Sequence, residues 1–440
     1  MNTRSSSSKR AAYHADDFAE AGVGRGLESR LDAGVGKGVP VGCLQSPKGN
    51  SGTILSWIPT SLTLAATLLT AVIYAIPCQA QSYNAAAQQR NSDKGLWVCN
   101  FGFFSEFQGA GLQKSGRSNA TLALTFAEGG SFPDLTFDKA GNLWLAFVAD
   151  QGSGVGELTR NELATGKKGL RFSVLLSYID ADPNPLFSPL SLAFDPAGDL
   201  WVASIARTAG TLPYSLVEYT PDQLTASGGP TPASTITFAN GSGIVPSLVR
   251  FDSAGDLWLA YQFSQSDPSP AVLEYTPVQI AELQNGGSPM PAITVVAGSL
   301  KISAIAFDKQ GNLWIAASNE GGNPNGVDGG TVEMFQVAGK SGTLSEPEVT
   351  ITPAPISSIN QSLDQPSGLA FDGSGSLWVS NRLSSDQISG SRNTSGFLVK
   401  FAANQLTASG SPVPPTVISP NRKATNLQNP TSVIFGPIVK

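Results

Sequence analysis

Histidine is almost absent from this chain: the single copy is His14, close to the amino terminus. Everything downstream therefore lacks Ser-His-Asp or Cys-His catalysis, a histidine general base and histidine-ligated zinc. Cysteine is nearly as scarce, with only Cys43, Cys78 and Cys99. Cys99 alone falls in the main body, which excludes a thiolate metal site or an internal disulfide there. It sits in an apolar stretch and reads as a small buried residue. Charged residues make up 14%, well under the usual level of about a quarter. After residue 50 there are 20 Lys/Arg and 28 Asp/Glu, a formal charge of −8. No basic footprint for nucleic acid remains, and the diffuse acidity favours solubility. Walker and dinucleotide fingerprints are missing. No long 3.6-residue apolar period occurs outside the segment near Ile54, so helices should be few.

What the chain does have is one phrase written repeatedly. Six of its seven tryptophans lie in it. A clean copy runs Leu192-Ala-Phe-Asp-Pro-Ala-Gly-Asp-Leu-Trp-Val-Ala-Ser204. An apolar strand ends at Phe194, an Asp-x-x-Gly turn spans Asp195 to Gly198, and a second strand starts at Leu200. Asp suits the first turn position because its carboxylate accepts a nearby backbone N–H, and Gly suits the last because the chain passes through positive φ there. Further copies centre on Asp138/Trp144, Asp252/Trp258, Asp308/Trp314 and Asp372/Trp378, with successive Trp residues 57, 57, 56 and 64 positions apart. A fixed period of this size marks a repeat architecture.

Two fragments complete the set. Gly95-Leu-Trp97-Val98 has only the second half of the phrase, and Thr431-Ser-Val-Ile-Phe-Gly436 only the first. Complementary halves at the two ends predict a sixth hairpin made from both, which closes a ring. Third strands follow at Leu216–Tyr219, Val272–Tyr275, Thr331–Phe335 and Phe397–Phe401, and fourth strands at Ser234–Phe238 and Ala292–Val296. The connector Gln-Leu-Thr-Ala-Ser-Gly recurs identically at 223–228 and 405–410. The expectation is an all-β protein, a six-bladed β-propeller with four strands per blade, closed by pairing of the amino- and carboxy-terminal segments in one blade. The tryptophans read as packing between blades. Burying each is worth about 4–6 kcal/mol.

Residues 1–50 are polar and rich in Gly and Ser, and read as a disordered leader. Residues 51–81 read as a signal peptide or membrane anchor: Ile54 to Ile76 carries no charge and is long enough to span a bilayer. Cys78 and Ala80 resemble the small residues before a signal-peptidase cut. Pro77 argues against a lipobox at Cys78. The long leader is also compatible with a translation start nearer Val41. Residues 82–95 are a linker and 96–440 the propeller. Cut or uncut, the propeller is expected outside the cytoplasm, in the periplasm, outside the cell or at its surface. It meets a membrane only through 54–76 if that segment is retained.

Aligned on Phe-Asp, the channel-facing residues four places before Asp are Asp134, Ser191, Leu248, Ala304 and Gly368, with Ser432 in the closing copy. One carboxylate among small side chains is thin material for a metal site, so Asp134 stands as a lone candidate ligand or base against a solvated residue at the head of a strand. Loops between second and third strands vary most, and binding usually resides on such loops. The longest are Ser318–Gly330 and Arg382–Ser395. Glu320, Asn323, Asn325 and Asp328 of the first are candidate ligand-binding residues that could take calcium, although their spacing misses the EF-hand pattern. No other cofactor is implied.

The stretch Pro366-Ser-Gly-Leu-Ala-Phe-Asp-Gly-Ser-Gly-Ser-Leu-Trp-Val-Ser380 resembles an NHL-type propeller repeat of exported bacterial proteins. The likeness runs from about Leu96 to Lys440. It implies the fold, while NHL propellers as a group bind proteins, RNA or small molecules and some relatives are enzymes. Gluconolactonase and virginiamycin B lyase propellers are similar in outline. The first resemblance implies Glu, Asn and Asp ligands around the channel, and the second a catalytic His; this sequence supplies neither. The leading expectation is a monomeric, non-catalytic binding or interaction module of the cell envelope or exterior. Its ligand would be a protein, a glycan or a small molecule on the channel or loop face. The alternatives are a metal-assisted lactonase- or lyase-like enzyme using Asp134 and loop carboxylates, with its site at the central channel, and a purely structural envelope role.

Overall fold

Each repeat phrase folds as a hairpin whose turn is held by its own aspartate. In the computed structural model, Oδ1 of Asp138, Asp195, Asp252, Asp308 and Asp372 accepts the backbone N–H four residues on, at 2.8–3.0 Å. Their glycines, Gly141, Gly198, Gly255, Gly311 and Gly375, have φ between 77° and 99°, a region costly for any residue with a Cβ. The second carboxylate oxygen does more than a turn requires. Oδ2 accepts the indole N–H of the tryptophan six positions later in every copy, at 3.0–3.3 Å. The aspartate thus binds the turn to the buried ring, and the one polar atom of that ring is satisfied.

The structure describes residues 94–438 apart from 101, 126–129, 150–151, 167–168, 179–182, 208–212, 239–244, 263–269, 299–300, 319–328, 357–359, 383–395 and 420–426. Six antiparallel four-stranded blades surround an axis. From the inner strand outward, blade 1 is Ser432–Pro437, Lys94–Asn100, Phe103–Phe107 and Leu122–Thr125. Blade 2 is Leu135–Phe137, Leu143–Ala149, Gly152–Leu158 and Val174–Ser177. Blade 3 is Asn184–Phe194, Leu200–Arg207, Tyr214–Tyr219 and Ser234–Phe238. Blade 4 is Val245–Phe251, Leu257–Gln262, Ala271–Tyr275 and Ile293–Val296. Blade 5 is Lys301–Phe307, Leu313–Ser318, Gly330–Phe335 and Val349–Ile351. Blade 6 is Pro366–Phe371, Leu377–Asn381, Phe397–Phe401 and Thr416–Ser419.

The predicted closure is present in blade 1. Ile434 lies opposite Trp97 and Phe435 opposite Leu96, so the last strand completes the sheet begun by the first. Gly436 stands where the other copies have Asp. A Cβ at Gly436 would run into the ring of Phe137, and Trp97 donates its indole N–H to the Pro437 carbonyl at 3.3 Å instead.

Blades pack through one repeated contact. The tryptophan of each blade meets the phenylalanine that precedes the turn aspartate in the next, with ring centroids 5.3–6.0 Å apart at five junctions. At the sixth, Trp378 and Phe435 share a cluster with Leu96 and Val98. Five of these tryptophans are among the largest fully buried side chains. Cys99 is buried and free, and burial raises its thiol well above the usual value.

The repeated connector proves to be an edge clasp. Ser227 Oγ accepts Leu175 N–H, and Gly228 exchanges backbone hydrogen bonds with Leu175 and Ser177, all on the outer strand of the preceding blade. Ser409 and Gly410 do the same to Thr350 and Thr352. Two other Ser-Gly pairs clasp their neighbours in parallel: Gly116 beside Ile418 and Gly342 beside Ile293. Outer strands that would otherwise present unpaired backbone groups are thereby covered.

Candidate functional site

The inner strands carry a β-bulge near their first residues, with register shifts between Pro246 and Leu248, Ile302 and Ala304, and Pro366 and Gly368. The bulged hydroxyls reach across to neighbouring blades. Ser303 Oγ donates to the Pro366 carbonyl, Ser367 Oγ to that of Pro430, and Thr431 Oγ1 to that of Phe132, at 2.5–2.7 Å. Asp134 continues the circle from blade 2. Its Oδ1 accepts from Leu135 N, Ser432 Oγ and Arg250 Nη2 at 2.9, 2.7 and 3.2 Å. Its Oδ2 accepts from Ser191 Oγ, Leu192 N and Arg250 Nη1 at 2.7, 3.2 and 2.8 Å. Ser191 Oγ in turn accepts Val249 N–H at 3.2 Å.

Asp134 is therefore no solvated residue at the head of a strand. It is 1% exposed and joins blades 1, 2, 3 and 4. Burial pushes its carboxyl up, but Arg250 and the Ser432 and Ser191 hydroxyls outweigh that and hold it below the usual carboxylate value. Around this group the channel narrows to a neck of about 20 Å³, room for about one water.

On the turn side of the neck the channel widens into a cup of about 400 Å³. Phe251, Phe307, Phe371 and Phe435 line its wall, Arg250 its floor, and Lys94 and Lys309 stand among its polar lining. Asp372 also lines it but is matched by Lys400 Nζ at 2.9 Å. Arg250 was legible in the alignment one step further along. Two places before Asp the copies read Thr136, Ala193, Arg250, Ala306, Ala370 and Ile434. Positions two apart on a strand share a face, so the ring's lone Arg and lone Asp point to the same axis. Lys94 carries no repeat signal, and Lys309 aligns with Lys139 but with Pro196, Ser253 and Gly373 in the other copies.

Glu320, Asn323, Asn325 and Asp328 lie outside the described residues. Among the described residues, carboxylates converge at two other places. Asp195, Asp199 and Glu218 in blade 3, and Asp252, Asp256 and Glu274 in blade 4, each bring three carboxylate oxygens within 4.8 Å of one another. The glutamates come from the third strand, opposite the tryptophan. At the equivalent position blade 6 has Lys400, whose ammonium sits on Asp372 and 5.5 Å from the Trp378 ring centre. In blade 4 burial, with Asp256 and Asp252 beside it, pushes Glu274 up to about 7. Asp256 is raised too, by burial and by the neighbouring Asp252.

The family described as two component regulator propeller matches residues 298–319, the hairpin holding Asp308 and Trp314. The match agrees with the propeller that the repeat, the ring closure and the blade order show. The chain fits an NHL-like six-bladed propeller. No curated protein matches it. A solved protein of unknown function from Bacteroides caccae is similar to the propeller at 12% identity and a TM-score of 0.48, covering 78% of this chain and 99% of that one. A catalytically inactive virginiamycin B lyase from Staphylococcus aureus with quinupristin is similar at 14% identity and a TM-score of 0.36, covering 73% and 88%. A gluconolactonase from Xanthomonas campestris is similar at 11% identity and a TM-score of 0.37, covering 75% and 85%. Among the described residues of the propeller no helix is long and apolar enough to cross a membrane, and residues 54–76 lie outside them.

Proposed function

We propose that this propeller is an exported, non-catalytic binding module whose ligand enters the cup at the centre of the turn face. One observation carries the reading. The buried carboxylate at the axis, Asp134, has six protein donors on its two oxygens. A base or a metal ligand needs a free lone pair there, and Arg250 occupies that place. The cup lies within the ordinary size range of small-molecule sites, roughly 300–1,000 Å³, and has apolar walls with a few polar groups. Export rests on the uncharged stretch at 54–76 and the small residues Cys78 and Ala80.

A fragment screen by saturation-transfer NMR tests the proposal, with Ala306→Trp and Ala370→Trp as variants that fill the cup from its lining. Fragments should bind the native protein and be lost from both variants. The enzyme reading makes the opposite demand. Lactone hydrolysis that needs added calcium and vanishes in Asp134→Asn would replace the binding module with a metal-assisted enzyme.

A further inference from the structure

Although the chain as a whole is acidic, with a formal charge of −6, the charged groups lining its cup are mainly cations. The titratable groups facing it are Lys94, Arg250, Lys309 and Asp372. Two of these are already matched: Arg250 by Asp134 at 2.8 Å and Asp372 by Lys400 at 2.9 Å. Among the described residues, Lys94 and Lys309 have no carboxylate within ion-pair distance. Lys309 is exposed on its turn and leans toward the next blade, its Nζ 4.0 Å from where a Cβ on Gly375 would lie. Lys94 is half-buried at the start of its strand, and that burial lowers its ammonium below the usual value. A partly desolvated cation without a counter-charge is stabilised by any anion that reaches it.

Beneath the two ammonium groups the cup is apolar, with the edges of Phe251, Phe307 and Phe371 on its wall. Charge at the mouth and phenylalanine below fit one kind of molecule. Resting on the binding reading above, we infer that the cup takes a small organic anion: its carboxylate or phosphate lies between Lys94 and Lys309, and its apolar body rests on the phenylalanines. The buried Arg250–Asp134 pair closes the floor behind it.

Three probes of nearly equal shape separate charge from fit: phenylacetate, phenylacetamide and 2-phenylethylamine. Titrated calorimetrically into the full propeller, phenylacetate should bind about tenfold more tightly than the amide, the value of one charge-assisted hydrogen bond, and the amine most weakly. Lys309→Gln, on an exposed turn, should cost phenylacetate about tenfold and leave the amide unchanged. Lys94→Gln should do the same, and raising salt should erase the preference. Phenyl phosphate in parallel reports which anionic group is favoured. Equal binding of phenylacetate and phenylacetamide to the native cup overturns the charge selection while leaving a binding cup intact. A preference that survives in the Lys94→Gln/Lys309→Gln double variant overturns it as well. A screen that finds no fragment sensitive to Ala306→Trp sinks the binding reading itself, whatever the charge of the probe.

Discussion

The two ends of the central channel are built from the same six inner strands, yet they treat polar atoms in opposite ways. In the neck, the buried carboxylate is saturated and the Ser191, Ser303, Ser367, Thr431 and Ser432 hydroxyls bond across blade boundaries. In the cup, a few residues along the same strands, phenylalanine edges and two lysines face open space. The difference teaches that a charge at a propeller axis is not by itself a functional charge. Asp134 is a buried acid whose two oxygens are both fully engaged. Lys94 and Lys309 are unremarkable in sequence and remain available.

If the neck is structural, breaking it should give the largest effect. Asp134→Ala leaves Arg250 half-buried without its partner, and removing one member of a buried pair costs about 3–5 kcal/mol. Chemical denaturation should show that loss, and Arg250→Ala should be comparable because it strands the carboxylate. A loss under about 1 kcal/mol would place Asp134 among groups kept for chemistry.

The repeated turn aspartates should come next. Asp308→Ala removes the acceptor of the Asn312 N–H and of the Trp314 indole, an expected loss of about 1–3 kcal/mol by the same measurement. The indole N–H of Trp314 should exchange with deuterium faster in that variant. Unchanged exchange would break the link drawn between turn and ring.

The smallest effect should be one of pH. Glu274 has an ordinary value of 4.5 in the unfolded chain and about 7 in the fold. The folded state then binds the proton more tightly, so stability is highest below the unfolded value and falls as pH rises through that window, levelling off above it. Glu274→Gln should flatten the melting-temperature profile between these limits. A wild-type profile that rises across the same window would contradict the raised Glu274 carboxyl.

Much of this fold was legible because a propeller writes each blade in similar words. The split phrase at Trp97 and Phe435 predicted a closing pair separated by over three hundred residues, since neither half makes a hairpin alone. Asp134 was legible as channel-facing for the same reason. Its saturation was not, because the donors Ser191, Arg250 and Ser432 come from three other blades and only closure brings them together. The Ser-Gly clasp was half legible: two connectors share six letters, while Ser115-Gly116 and Ser341-Gly342 share only the pair that makes the contact. The lysines of the cup were not legible: Lys94 precedes the repeat phrase, and the position of Lys309 holds Lys again only at Lys139 and otherwise Pro, Ser or Gly. The loop residues read as candidate ligands lie outside the described residues, while the described walls enclose space on the turn side.

The most direct test is a carboxyl-carbon NMR titration of Asp134 in the intact propeller, with and without calcium. A structural neck predicts that this carboxyl stays ionised to pH values below the ordinary aspartate range and that its resonance ignores calcium. Titration at or above the ordinary value, or a calcium-dependent shift, would show an oxygen free for chemistry and contradict the account.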